Sequence, residues 1–323
     1  MDKVFDVIGV ENLIMDFALR IDRLPETDGM TELHDYLWQS GGNASSAIAA
    51  LARLGAKCAM LGTIGTDEFG KFCKNDMIYH GVDVSHIYQQ EGQTTFCVCL
   101  AEEETQGRSF VSIKGVNEPL TDEQVDEDFI ASAKYIHCSV IESDAKRRAI
   151  AYAKKHNVLV SYDAGSYRDN AEQIVDDSDI LIMSHQFYKG MFGNNDKYVE
   201  NCRSLLARGP QIVIVTLGSM GCAGTDGTTD FRLPPFSGHT IVDTTGAGDV
   251  FHGGFLYAHN MGWGLEQCAR FASAVSYINC TSLGGRVGIP DREMVEQFLA
   301  DGTIDSSRLE ERRKHYRSVM HFQ

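Results

Sequence analysis

Four short apolar runs, residues 4–10, 158–162, 180–183 and 212–216, constrain the architecture of this chain more than any other feature. Unbroken runs of that length suit strands buried on both faces, as in a parallel sheet. Residues 145–156 and 198–208 carry apolar positions at helical spacing and directly precede the strands at 158 and 212. Such alternation predicts an α/β fold, a doubly wound, mostly parallel sheet flanked by helices, with ligands bound beyond the C-terminal ends of its strands. Residues 17–24, 31–38, 94–101 and 109–113 break the alternation: they read as β segments joined by polar loops, among them Glu102-Glu103-Glu104-Thr105-Gln106-Gly107. With 323 residues, 43% of them hydrophobic, the chain can bury a large core in two domains or in one elaborated domain.

The segment Asp243-Thr244-Thr245-Gly246-Ala247-Gly248-Asp249, followed by the apolar run 250–258, joins a glycine turn to a helix start. Glycines let backbone amides approach a ligand, the first-turn N–H groups lack intrahelical partners, and the helix dipole favours negative charge there. Asp249 stands at the mouth of this anion site. A carboxylate repels a bound phosphate, so its placement there points to proton acceptance from a hydroxyl that attacks the phosphate. Capping the helix is the plainer alternative. A second glycine pair, Gly41-Gly42-Asn43-Ala44-Ser45-Ser46, opens a run of small residues ending at Gly55, with Asn43 as a candidate N-cap.

Together the two segments resemble the signatures of the ribokinase-like (PfkB) carbohydrate kinases. The resemblance continues in order through 62–70, 81–84, 216–221 and 284–290 and covers nearly the whole chain. It implies one kinase domain over 1–323, with lid segments near 17–38 and 94–114 over a sugar site. The implied reaction moves the γ-phosphoryl group of ATP, with Mg²⁺, to a terminal hydroxyl of a sugar. Asp249 would be the general base, weak because its reference pKa is about 3.9 and a helix N-terminus favours the charged form. The amides of Gly246, Ala247 and Gly248 would form the anion hole. Asp16, Gly41, Gly42 and Asn43 match positions that hold sugar hydroxyls. Thr216, Gly218, Ser219 and Gly221 are expected near the nucleotide's ribose and phosphates, and Asn279 near its base.

Asp243, Thr245 and the 284–288 loop match a region that offers carbonyls to a monovalent cation such as K⁺ in part of the family. Where many relatives carry Asn-x-x-Glu to organise Mg²⁺, this chain has Ser184-His185-Gln186-Phe187, so metal organisation is expected either to differ or to lean on Asp243 and solvent. Ketohexokinase-like and sulfofructose-kinase-like branches also replace that motif. Arg108, before a lid strand, is expected to reach over the sugar as in the ketohexokinase-like branch, which favours a ketose or modified ketose. Ser46 departs from that branch, which tends to carry asparagine there. The alternatives are a nucleoside or ribose kinase of the same family and a sugar-binding regulatory pseudokinase. The apolar face of the lid is expected to be buried in a homodimer.

A formal charge of −16 opposes binding to nucleic acid or anionic lipid. No stretch approaches the roughly 20 apolar residues that span a bilayer, and the first residues lack a secretory pattern, so a cytoplasmic enzyme without membrane partners is expected. Nine cysteines without a CxxC pattern suit reduced thiols; Cys97 and Cys99 share one face of a strand and read as small hydrophobes. Residues 65–71 imitate a phosphate-binding loop, but Phe72 stands where the magnesium-binding hydroxyl belongs. The charged stretch from Ser306 reads as a solvated helix in which Glu310 and Lys314 pair.

Overall fold

In the computed structural model, which describes residues 3–318 except 106, 117–119, 122 and 140–142, thirteen strands form two sheets. In chain order they are β1 (Phe5–Val10), β2 (Ile14–Ile21), β3 (Leu33–Gly41), β4 (Cys58–Gly65), β5 (Asp83–Gln90), β6 (Thr95–Glu102), β7 (Arg108–Ile113), β8 (Ala133–Cys138), β9 (Leu159–Ala164), β10 (Ile180–Ser184), β11 (Ile212–Thr216), β12 (Cys222–Thr225) and β13 (Asp230–Leu233). Gln106 of the expected lid loop, and both ends of the 1–323 span, lie outside the described residues.

The main sheet runs β13-β12-β11-β10-β9-β8-β1-β4-β5, parallel from β11 to β5, with β12 and β13 added antiparallel at one edge. Alternate residues feed two cores. Val7, Met60, Tyr135, Ile182 and Ile214 face one layer of helices, while Ile8, Leu61, Ile136, Leu181 and Val213 face the other. Burial on both faces explains why these strands read as unbroken apolar runs rather than alternating ones. The chain proceeds from β1 to β4 on one side and from β8 to β9 on the other, so the winding reverses between β1 and β8. Ligands in such sheets bind in the crevice beyond the carboxyl ends at that reversal. Register aligns those ends: Val10 lies opposite Cys138, Cys138 opposite Tyr162, and Ser184 opposite Thr216.

The second sheet, β3-β2-β6-β7, is the small sheet foreseen as a lid. One face carries Asp16, Ala18, Cys97, Cys99 and, one strand over, Phe110; the other carries Phe17, Trp38 and Phe96, which stack with Phe69 of the helix Glu68–Tyr79.

The C-terminal helix, Ser306–Ser318, is not solvated all round. Leu309, Arg312 and Tyr316 are buried at i, i+3 and i+7, Arg312 donates to the Ile289 carbonyl, and Arg313 and Arg317 both grip Asp35 of β3. The arginines at this spacing look like surface charge in a sequence, yet their partners lie about 280 residues earlier. Among the described residues no helix is long and apolar enough to cross a membrane.

Candidate active site

Small residues bring the two glycine motifs together. The helix Asn43–Leu54 packs on the helix Ala247–Asn260, where a Cβ at Gly253 would stand 2.5 Å from the Ala47 carbonyl and 2.8 Å from the Ala50 Cβ. That contact sets the two helices close enough to serve one site.

Asn43 is not the N-cap. Gly42 takes that position with φ 101°, and Asn43, the first helical residue, donates its amide to Asp163 Oδ2 at 2.9 Å. His252, three residues beyond Asp249, places Nε2 3.3 Å from Asp163 Oδ1. Burial disfavours charge on Asp163, but His252 and Asn43 outweigh it and hold the carboxyl down at about 2. Glu11, the first residue beyond β1, accepts from the Ser45 amide at 3.2 Å, and burial pushes its carboxyl up to about 7. Asp16 lies under Gly41, where an added Cβ would fall 2.1 Å from Oδ2. Burial pushes Asp16 up to about 7 as well, against the opposing pull of Arg286 and Gln39.

Gly246 caps the Ala247–Asn260 helix in the left-handed region, φ 75°, which a side chain rarely adopts. Asp249 is the third residue of that helix and Gly246 its N-cap, so Asp249 is not the capping residue. Its carboxyl is raised well above the ordinary value by burial and then by the charges of Asp163 and Glu11, which outweigh Arg108 and Arg286. The expectation of a weak, low-pKa base is therefore corrected: desolvation dominates the helix dipole here. The Ala247 amide is already bonded to the Thr244 carbonyl at 3.2 Å. Among the described residues Gly246 and Gly248 keep the free turn amides.

Arg108 pairs with Ala101 and so lies on the lid face that carries Asp16; its Nη1 donates to Thr244 Oγ1 at 2.9 Å, crossing from the lid to the glycine turn. Two further expectations change. Asn279 is fully buried and donates to the Thr245 carbonyl at 3.2 Å, so it braces the turn from behind rather than facing a base. Asp243 accepts from the Thr245 amide at 2.8 Å and the Gly284 amide at 2.8 Å, which commits its carboxylate to holding the turn instead of Mg²⁺. Thr216 ends β11, and Gly218 and Ser219 form an exposed 3₁₀ turn after it that closes at Gly221. Ser184 caps the helix His185–Phe192 through the Phe187 amide and donates to the Gly165 carbonyl at 2.8 Å.

Glu11, Asp163, His252 and Arg286 were missed in the sequence. A carboxylate at, or just past, the end of a buried parallel strand is a legible signal for the first two, since burial there needs a purpose. Arg286 stands in the quoted segment 284–290, but nothing local reveals its partner Asp76.

The model of the pfkB family carbohydrate kinases matches residues 6–292. An ATP-dependent ribose-1-phosphate kinase of Halopiger xanaduensis is 28% identical over 91% of this chain and 98% of its own length. The mouse ketohexokinase is 25% identical over 85% and 95%. The structure of Arabidopsis thaliana ribokinase complexed with ribose and ATP superposes with a TM-score of 0.76 at 23% identity, over 93% of this chain and 99% of that one. With the family model spanning nearly all of the two-sheet fold and both glycine motifs, this chain belongs to the pfkB family of carbohydrate kinases.

Proposed function

We propose that this kinase transfers the γ-phosphoryl group of ATP to a terminal hydroxyl of a neutral sugar, with Asp249 as the general base. The observation that carries this reading is the convergence of four carboxylates, Glu11, Asp16, Asp163 and Asp249, beside the start of one helix: each lies within electrostatic reach of another of the set. Asp163 is ionised at neutral pH and only accepts hydrogen bonds, and each of the other three carboxyls keeps an accepting oxygen in either state. A polyol supplies several donors to them, whereas a sugar acid or sugar phosphate adds repulsion. Asp16, Gly41, Gly42 and Asn43 hold the hydroxyls in this reading, and Asp163 orients the Asn43 amide.

The phosphates lie against the amides of Gly246 and Gly248, with the nucleotide on Thr216, Gly218, Ser219 and Gly221. Mg²⁺ prefers oxygen donors, one or two carboxylates together with phosphate and water, and Glu11 and Asp163 fit that set. Bound there, it neutralises charge on the transferring group. K⁺ at the carbonyls of Asp243, Thr245 and the 284–288 loop belongs to the same reading, and turnover is expected to rise when K⁺ replaces a bulky organic cation.

A phosphorylation panel tests the substrate class. The relatives are a ribose-1-phosphate kinase, a ketohexokinase and a ribokinase by name, so fructose, ribose, adenosine, a sugar acid and ribose 1-phosphate belong in one panel. Neutral ketose or ribose is expected to lead the anionic substrates by about tenfold or more in kcat/KM. An anionic sugar at the top rejects the reading. Arg108 contacts Thr244 of the glycine turn, so Arg108→Ala is expected to lower kcat and to raise KM for ATP more than KM for sugar. The opposite split would return Arg108 to the sugar.

Gly248 supplies a steric test. An added Cβ there meets no protein atom within 4 Å, so Gly248→Val leaves the fold intact. Its branch points into the space assigned to phosphate, and kcat/KM for ATP is expected to fall by about 10²-fold or more. An unchanged melting temperature with unchanged kinetics would remove phosphate from that turn.

The lid's outer face leaves Tyr36, Val111 and Ile113 exposed at 45, 63 and 53%. A second lid covers this face in the proposed homodimer. Sedimentation at micromolar concentration is expected to give a dimer, and Val111→Asp a monomer; a monomeric wild type refutes it.

A further inference from the structure

Cys97 and Cys99 play no part in the proposed phosphoryl transfer, yet they share the face of the lid that carries Asp16. Cys97 sits directly opposite Asp16 across the β2–β6 ladder, and Cys99 sits opposite Ala18. Two residues apart on one strand, the two thiols project from the same face. Their sulfurs are 3.8 Å apart, and a carboxylate oxygen of Asp16 lies with both inside a sphere of contacts no longer than 4.8 Å. A tetrahedral zinc ion, with Zn–S bonds of about 2.3 Å, separates two thiolate ligands by about 3.8 Å. A disulfide instead needs sulfurs at about 2.0 Å, and Cα atoms two apart on a strand, about 6.6 Å, are near the limit it tolerates. The spacing fits an ion between the sulfurs rather than a bond. Cys97 is partly exposed while the other cysteines are buried, so this pair is the one an ion can reach from the site.

We propose that Asp16, Cys97 and Cys99 bind a thiophilic divalent cation such as Zn²⁺, and that an ion held there blocks the sugar by occupying the Asp16 carboxylate. The three ligands leave a fourth position to water. Binding releases the protons of both thiols to solvent. Arg286 opposes a positive ion, but its own charge is matched by Asp76. The competition with sugar rests on the proposed role of Asp16; the ion site itself does not.

Cadmium titration of the purified enzyme, read by the ultraviolet thiolate-to-cadmium charge-transfer band, tests the site without reference to activity. Wild type is expected to saturate at one ion per chain, and Cys97→Ser/Cys99→Ser to lose the band while turning over sugar in buffer that contains Mg²⁺ but no zinc or cadmium. Zinc is expected to inhibit wild type competitively with sugar, and the double variant to need about tenfold or more zinc for the same inhibition. Absence of the band in wild type, or its persistence in the double variant, overturns the site. A band that the variant loses but sugar does not displace overturns the competition and the placing of sugar on Asp16, and leaves the ion site standing.

Discussion

Asp249→Asn is expected to lower kcat by about 10²–10⁴-fold while ATP and sugar still bind, the range that loss of a positioned general base produces. The substitution keeps size and removes only proton acceptance. The raised carboxyl gives the prediction a second readout. If Asp249 is the base, as proposed, catalysis requires it ionised, so kcat/KM of the wild type falls as pH drops through the pKa of the free enzyme's base. Because burial, Asp163 and Glu11 raise that pKa, the acid limb is expected well above the ordinary carboxylate range of about 4. Glu11 and Asp16, both pushed up to about 7, add protons over the same interval. In Asp249→Asn the residual rate should lose the part of that limb that belongs to position 249. A variant with near-normal kcat, or a wild-type limb near pH 4, would reject Asp249 as the base.

The strands that carry this site were legible because burial on both faces erases alternation: residues 212–216 match β11 to the residue, and 180–183 fall one short of β10. The first two lid strands drifted by two to three residues and the other two by one at most, since the lid strands are half-exposed and their pattern is mixed. The glycine turns could be read because backbone amides at a helix start need no partner elsewhere in the chain. Side-chain partners at long range could not. Nothing beside Asn43 announces Asp163, 120 residues away, and nothing beside Arg108 announces Thr244, 136 residues away. Arg108 faces the turn because the pairing of β7 with β6 sets its side of the lid, a fact of register rather than of composition. Asp249 was misjudged for a related reason: the helix dipole is local and visible in sequence, while the burial and the two neighbouring carboxylates that outweigh it are assembled only by the fold.

Asp76→Asn is expected to cost about 3–5 kcal/mol of stability, the usual result of leaving one member of a buried ion pair unmatched. Arg286 is fully buried, with Nε 3.3 Å from Asp76 Oδ2, and the other carboxylate oxygen accepts from the Tyr316 hydroxyl at 2.7 Å. His80 shares that hydroxyl at 2.7 Å, so the C-terminal helix is fastened to the same charge pair. The pair also reaches the site. Arg286 Nη2 donates to Ser40 Oγ at 3.1 Å and Ser45 Oγ at 3.0 Å, on either side of Gly41 and Gly42. Replacing both charges, Asp76→Leu with Arg286→Met, removes the desolvation penalty along with the attraction and is expected to recover most of the lost stability. It cannot restore the donors to Ser40 and Ser45. The double variant should therefore melt close to wild type yet keep a raised KM for sugar, with KM for ATP nearly unchanged. Chemical denaturation and steady-state kinetics on the three proteins separate the two roles. If the double variant recovers both stability and sugar KM, Arg286 serves the fold alone; if Asp76→Asn is as stable as wild type, the buried pair does not hold the helix, the core and the glycine turn together.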